Sequence, residues 1–154
     1  MIIGKLCIKA MLEIKYRPAL KSDIKFLLNL RLQTMNPHLI ASSLPICEEA
    51  HLQRIEYKFE HAKIIEINDC AIGLLKCHRQ TKKIELIQIQ LAQSFQGKGI
   101  GKRILKELIK EAIESEKTIT LSVLKTNQAK NLYLCMGFKI VGETGNSYLM
   151  SFEN

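Results

Sequence analysis

A chain of 154 residues suits one domain, and 47% hydrophobic content is enough for a real core. Five cysteines, at 7, 47, 70, 77 and 135, form no CxxC pair; they exclude a disulfide framework and a zinc ribbon and predict reduced thiols in a cytoplasmic protein. The net charge of +8 suits an anionic partner, but the charges are scattered, with no run of five basic residues, which disfavours nucleic acid and leaves a polyphosphate group or a solvated Lys-rich surface with no partner.

No stretch reaches the roughly 18 apolar residues of a membrane span, so no membrane partner is expected. Residues 1–10 have the look of a leader, but Lys5 and Lys9 break the apolar run, and Met11 serves equally well as a start. They are set apart as an N-terminal extension with no assigned role, and 11–154 is read as one domain.

Leu12 to Arg17 alternates apolar and polar residues and predicts a strand closed by Pro18. Ser22 and Asp23 offer N-cap chemistry to a helix carrying Ile24, Leu27, Leu28 and Leu32, which Asn36-Pro37 is expected to stop. A loop from Pro37 to Pro45 and a helix over 46–59, with Ala50, Ile55 and Phe59 inward, come next. Residues 63–67 and 71–77 form a hairpin about Asn68-Asp69, and 84–91 adds a third strand. The strongest helix follows Gly99, with Ile104, Leu105, Leu108, Ile109, Ala112 and Ile113 on one stripe. A strand at 119–123, a short helix at 127–136 closed by Gly137, and strands at 138–141 and 147–152 complete the chain. A mixed sheet with helices on both faces accommodates this order.

Gln96-Gly97-Lys98-Gly99-Ile100-Gly101 joins the strongest strand to the strongest helix. A helix start carries unpaired N–H groups and partial positive charge, and glycines let a phosphate come close. Lys98, Lys102 and Arg103 add formal charge. A P-loop is excluded because Gln96 stands where its first glycine should be and Arg103 where Ser or Thr would hold magnesium. A dinucleotide fingerprint is excluded because Lys102 replaces its third glycine. Taken alone, the loop is either a pyrophosphate cradle or a glycine-rich turn without a ligand.

The same six residues resemble the Q/R-x-x-G-x-G/A signature of the GNAT (Gcn5-related N-acetyltransferase) superfamily. Asn127-Gln128-Ala129-Lys130-Asn131-Leu132-Tyr133-Leu134-Cys135-Met136-Gly137-Phe138 resembles its N-x-A-x-x-L-Y-x-x-x-G-F block. The resemblance spans residues 12 to 152 and is sharpest from 84 to 138. It implies a single-domain α/β fold of the α+β type, with a mixed sheet of about six to seven strands splayed between the fourth and fifth. It also implies acetyl-CoA as donor, no metal, and an amine acceptor. Backbone groups of Ile89, Gln90 and Leu91 would pair with the pantetheine arm, with a strand N–H near Leu91 facing the oxyanion. The main chain of Gln96, Gly97, Lys98, Gly99, Ile100, Gly101 and Lys102 would hold the pyrophosphate. Asn127 would contact the cofactor arm, and Tyr133 would protonate the departing thiolate. The implied base is Glu85 or ordered water. On a regular strand Glu85, Ile87, Ile89 and Leu91 share one face, so Glu85 is either a base or an exposed charge.

The chain departs from the pattern at Gln93, where relatives often carry Pro, and in 37–45, which lacks the aromatics common in the acceptor loop. Cys135 is read as helix packing, the four histidines as lacking ligand spacing, and Glu48 and Glu49 as favouring a helix start or drawing a cationic amine. The expected activity is direct acetyl transfer to a primary amine of a small molecule or peptide. The alternatives are a silent acyl-CoA-binding sensor and a basic nucleic-acid module. Dimers are common in the family, which adds a homodimer to the expectations.

Overall fold

The computed structural model describes residues 13–154; the extension at 1–10 lies outside the described residues. Seven strands form one sheet in the order β1-β2-β3-β4-β5-β7-β6. They are β1 (Ile14–Pro18), β2 (Ala62–Ile67), β3 (Cys70–Arg79), β4 (Lys83–Leu91), β5 (Thr118–Leu124), β6 (Lys139–Glu143) and β7 (Ser147–Phe152). Four helices cover it: α1 (Ile24–Ala41), α2 (Glu48–Glu56), α3 (Ile100–Glu114) and α4 (Ala129–Cys135). Asn68 and Asp69 both take positive φ, +52° and +60°, which is the turn that a tight hairpin between β2 and β3 requires.

All neighbouring strands are antiparallel except β4 and β5. Those two pair in parallel only from Lys83–Leu86 to Thr118–Leu121. Beyond that point β4 runs on to Leu91 and β5 to Leu124 without pairing, so the sheet opens as a V between its fourth and fifth strands. The expected mixed, splayed sheet with helices on both faces is the observed one.

Two cores hold the layers. On one face α3 and α4 bury Ile104, Leu105, Leu108 and Tyr133 against Ile65, Leu75 and Leu86. On the other, Leu27, Leu30 and Ile55 of α1 and α2 meet Ile64 and Leu74. Each fully buried Leu or Ile contributes about 1.5–3 kcal/mol.

The assignment of β4 residues to these faces corrects the sequence reading. Cys77 pairs with Leu86 and Lys76 with Gln88, so Ile87 has no partner and forms a bulge. The extra residue resets the alternation. Ile84 and Leu86 before it, and Ile89 and Leu91 after it, all face the α3 core. Glu85 therefore does not share a face with Ile89 and Leu91. It lies opposite His78, on the α1–α2 side with Gln88 and Gln90.

Two helix boundaries also differ. Pro37 lies inside α1, which continues to Ala41. Proline has no N–H to offer the Gln33 carbonyl, but the turn closes beyond it through Ser42 N–H to the His38 carbonyl at 3.1 Å. Helix α2 stops at Glu56, because Lys58 takes φ +49°. Its inward residues are His51 and Ile55, with Ala50 and Phe59 half-buried.

Lys76 explains how α2 ends. Its side chain is fully buried, and Nζ donates to the carbonyls of Arg54 (3.1 Å), Ile55 (3.0 Å) and Tyr57 (2.6 Å). These are carbonyls that a helix end leaves without partners. Burial pushes the ammonium pKa down to about 8, helped by Arg54 and Arg31. His51 is 1% exposed: Arg31 Nε donates to its Nδ1 at 3.1 Å, and its Nε2 lies 2.8 Å from Asn36 Oδ1.

Candidate active site

The V between β4 and β5 opens into a cleft of about 680 Å³, within the range of small-molecule sites. One wall is the glycine loop and the start of α3, and another is α4. The end of α1 closes it on the far side of the sheet. Every site residue expected from the sequence lines this cleft except Glu85 and Lys98.

The loop geometry follows from its residues. Gly97 and Gly99 take φ +71° and +80°, and no atom lies within 4 Å of where a Cβ would stand. The loop is thus left-handed where glycine is favoured, and its outer side is open. Gln93 to Phe95 make one 3-10 turn, which occupies the Gln96 N–H with the Gln93 carbonyl at 3.2 Å. Gln96 Nε2 then donates to the Leu91 carbonyl at 3.0 Å and ties the loop to the strand end. The first bond of α3 is Arg103 N–H to the Gly99 carbonyl. Helix geometry leaves the N–H groups of Ile100, Gly101 and Lys102 without intrahelical partners. An anion here meets those donors, the positive helix end and the Lys102 ammonium. The Lys98 ammonium instead rests 5.6 Å from the centre of the Phe95 ring.

Along β4, Ala92 N–H donates to the Ile72 carbonyl at 2.8 Å. Peptide groups alternate in direction along a strand. The Gln90 peptide accordingly faces β3, while those of Ile89 and Leu91 face the opening. Of the three residues expected to pair with a bound arm, two offer backbone groups and Gln90 offers its side chain. That side chain is 7% exposed, and its carbonyl oxygen is buried without a hydrogen-bond partner. Both amide atoms of Gln88, two residues deeper on the same face, are in the same condition. Each such atom costs about 1–3 kcal/mol. The Ile/Gln alternation reads as a half-solvated strand, and nothing in it signals that the Gln face is covered by α1.

The second motif builds α4. Asn127 Oδ1 accepts the Ala129 N–H at 2.9 Å and caps the helix start. At the other end Phe138 N–H bonds the Tyr133 carbonyl (3.0 Å) and Gly137 N–H bonds the Leu134 carbonyl (3.1 Å). With Gly137 at φ +99°, this is a Schellman closure, and Phe138 and Tyr133 make its hydrophobic contact at 5.7 Å between ring centres. Tyr133 therefore sits in the last turn of the helix, clamped by the Gly-Phe pair. Burial pushes its phenol pKa up to about 12. Cys135, expected to pack, is exposed. A Cβ on Gly137 would lie 3.2 Å from the Phe152 ring and would hold an unfavourable φ. Gly137→Ala is expected to cost about 1–2 kcal/mol, measurable by urea denaturation.

Glu85 lies outside the cleft lining. Lys58 Nζ donates to its Oε2 at 2.9 Å, and His78 Nδ1 is 3.8 Å away. The Lys58 hydrogen bond holds the carboxyl below its usual range, against a smaller opposing effect of burial. His78 stacks on His61 with ring centres 4.3 Å apart. Among the described residues no group of three or more His, Cys, Asp or Glu is arranged to hold a metal ion. Glu48 and Glu49 lie exposed in the first turn of α2, away from the cleft lining. Across the opening, Thr126 Oγ1 donates to the His38 carbonyl and meets Ser42 Oγ, both at 3.2 Å. These contacts latch the end of α1 to the turn after β5.

A family model described as an acetyltransferase (GNAT) domain matches residues 32–152. The chain is 33% identical over 92 residues to the [ribosomal protein bS18]-alanine N-acetyltransferase of Haemophilus influenzae. That stretch covers 59% of this chain and 62% of the relative, so the match spans less than two thirds of the relative's length. Among solved structures, the PaiA N-acetyltransferase of Thermoplasma acidophilum in complex with coenzyme A superposes with a TM-score of 0.71 at 18% identity, covering 93% of this chain and 100% of that one. The ribosomal-protein-S18-alanine N-acetyltransferase of Escherichia coli gives 0.65 at 16% identity, over 91% and 93%. Naa50 of Arabidopsis thaliana, in complex with the bisubstrate analogue CoA-Ac-MVNAL, gives 0.63 at 17%, over 92% and 99%. With a family match over most of its length and this fold, the chain belongs to the GNAT family of acetyltransferases.

Proposed function

We propose that the protein transfers the acetyl group of acetyl-CoA to a primary amine of a small molecule or peptide. The observation that carries this reading is the convergence on one cleft of the open glycine loop, the unpaired edge of β4 and the Tyr133 phenol. The residues fit a nucleotide thioester: N–H groups at the start of α3 and Lys102 for the pyrophosphate, and the edge at Ile89 and Leu91 for an extended amide-bearing arm. Bound there, acetyl-CoA supplies a thioester carbonyl that an amine attacks directly.

The chain's own groups then have distinct tasks. The Leu91 N–H faces the opening, where negative charge on the carbonyl oxygen would gather. Tyr133 stays protonated across the working range and supplies a proton to the thiolate. The amine loses its proton to ordered water. Glu85 is assigned a structural ion pair with Lys58, because a carboxylate held ionised outside the cleft is a weak base. Glu85→Gln is expected to leave kcat and the pH–rate profile within about twofold of the parent, since a group with no part in the chemistry alters neither. A tenfold loss with a displaced acid limb would make it the base.

The relatives' names put peptide α-amines first in the screen, followed by amino acids and polyamines. Thiol release from acetyl-CoA, with mass detection of the acetylated amine, tests the activity. Coenzyme A binding without release on any amine would instead support the acyl-CoA sensor.

A further inference from the structure

We infer that the Gln90 side-chain amide recognises the acceptor, and that the acceptor carries a single primary amine beside an uncharged hydrogen-bonding group. The inference rests on the transferase reading above and specifies its second substrate.

Two independent observations carry it. The first is the orphaned amide. Gln90 lines the cleft on its α1 side, is 7% exposed, and keeps a carbonyl oxygen buried with no donor. Together with the two amide atoms of Gln88, it accounts for every buried side-chain nitrogen or oxygen found without a partner among the described residues. All three lie on one face of one strand, after the bulge, on the side of the V that the start of α3 does not occupy. Buried polar groups are normally satisfied, so an orphan at a cleft is a place for a ligand's donor. A half-turn about the last side-chain bond exchanges the amide ends and presents the carbonyl to an entering N–H.

The second observation is charge. Among the described residues no Asp or Glu lines the cleft. Lys102 is there as a cation. Lining the same cleft are Gln33, Thr34 and His38 of α1 and, from the turn after β5, Thr126 and Asn127, none of them an acid. A polyamine or aminoglycoside would bring several ammonium groups into a cleft with nothing to neutralise them. Such a mismatch is a strong filter, since unpaired charge is expensive to desolvate. A monoamine enters, loses its single proton and becomes a neutral nucleophile. Its neighbouring amide can then bond to Gln90, as an α-amino amide or a peptide N-terminus would.

Steady-state kinetics on the full chain tests this with alaninamide, an Ala-initiated peptide, free alanine and spermidine as acceptors. The parent should prefer alaninamide and the peptide over spermidine by at least roughly tenfold in kcat/KM. Gln90→Leu keeps the size and removes the amide. It should raise the alaninamide KM roughly tenfold while the acetyl-CoA KM stays within about twofold, a split that general loosening of the cleft would not give. Gln90→Glu should shift the preference toward spermidine by roughly tenfold, because it adds the missing carboxylate. Spermidine turned over as well as alaninamide by the parent, or an unchanged acceptor KM in Gln90→Leu, overturns the inference while the transferase reading stands. No thiol release by the parent on any amine overturns both.

Discussion

Tyr133→Phe is expected to lower kcat by roughly a hundredfold or more and to leave acetyl-CoA affinity within about twofold. The substitution removes one oxygen and keeps the ring that packs on Phe138, 5.7 Å away between centres. The Schellman closure of α4 uses backbone groups only, so the helix survives the change. What disappears is the proton available to the departing thiolate. Burial holds the phenol near a pKa of about 12, well above its ordinary 10. The parent's pH–rate profile should therefore show no alkaline limb from this group below about pH 11, because the proton is lost only as pH approaches the raised pKa. The acid limb belongs to the acceptor amine. Stopped-flow thiol detection with parallel calorimetry of coenzyme A binding separates the two effects. An unchanged kcat would remove Tyr133 from the mechanism.

The second large effect concerns a glycine that is not in either motif. A Cβ on Gly73 would overlap the Gln90 carbonyl oxygen and stand 2.9 Å from Leu91 Cδ2. Backbone on the neighbouring strand cannot swing aside as a side chain does, so β3 and β4 must separate where β4 lines the cleft. Gly73→Ala is expected to cost about 1–3 kcal/mol, typical of overpacking, and to lower Tm by about 2–4 °C for each kcal/mol. Acetyl-CoA affinity should fall with it, because the peptides of Ile89 and Leu91 move. Gly145→Ala is the control. Its Cβ would meet nothing within 4 Å and its φ is not positive, so a change within about 0.5 kcal/mol is expected. Equal melting temperatures for the two variants would contradict the steric account.

The contrast between the loop and this glycine shows what a sequence displays. Gly97, Gly99 and Gly137 sit at a helix start or end, where local chemistry demands positive φ, and their role was legible from spacing. Gly73 is needed because of Gln90 and Leu91 on the next strand, and no local pattern announces that. The same division separates Asn68-Asp69, a hairpin turn legible from two residues, from Pro37, which the sequence marks as a stop. Helix α1 passes it because His38 and Ser42 are tied to Thr126 on a distant loop. Arg31, His51, Lys76, Gln88 and Gln90 look like surface residues in sequence. They are buried because α1 and α2 cover that face, and the covering is a tertiary event. Glu85 leaves the face of Ile89 and Leu91 for a smaller reason: one unpaired residue shifts all that follows it.

That unpaired residue gives β4 two phases. Before Ile87 the strand counts its faces from the paired, closed end of the V; after it, the count starts again. The segment that lines the cleft can thus exchange its polar face without disturbing Ile84 and Leu86, which anchor the strand near its start. Pairing every residue of β4 in turn, without the bulge, would invert the second phase alone, turning Ile89 and Leu91 to the α1–α2 side and the two glutamines into the α3 core. Residues 88 and 90 can thus vary as a pair on the α1 side while the backbone edge at Ile89 and Leu91 stays fixed.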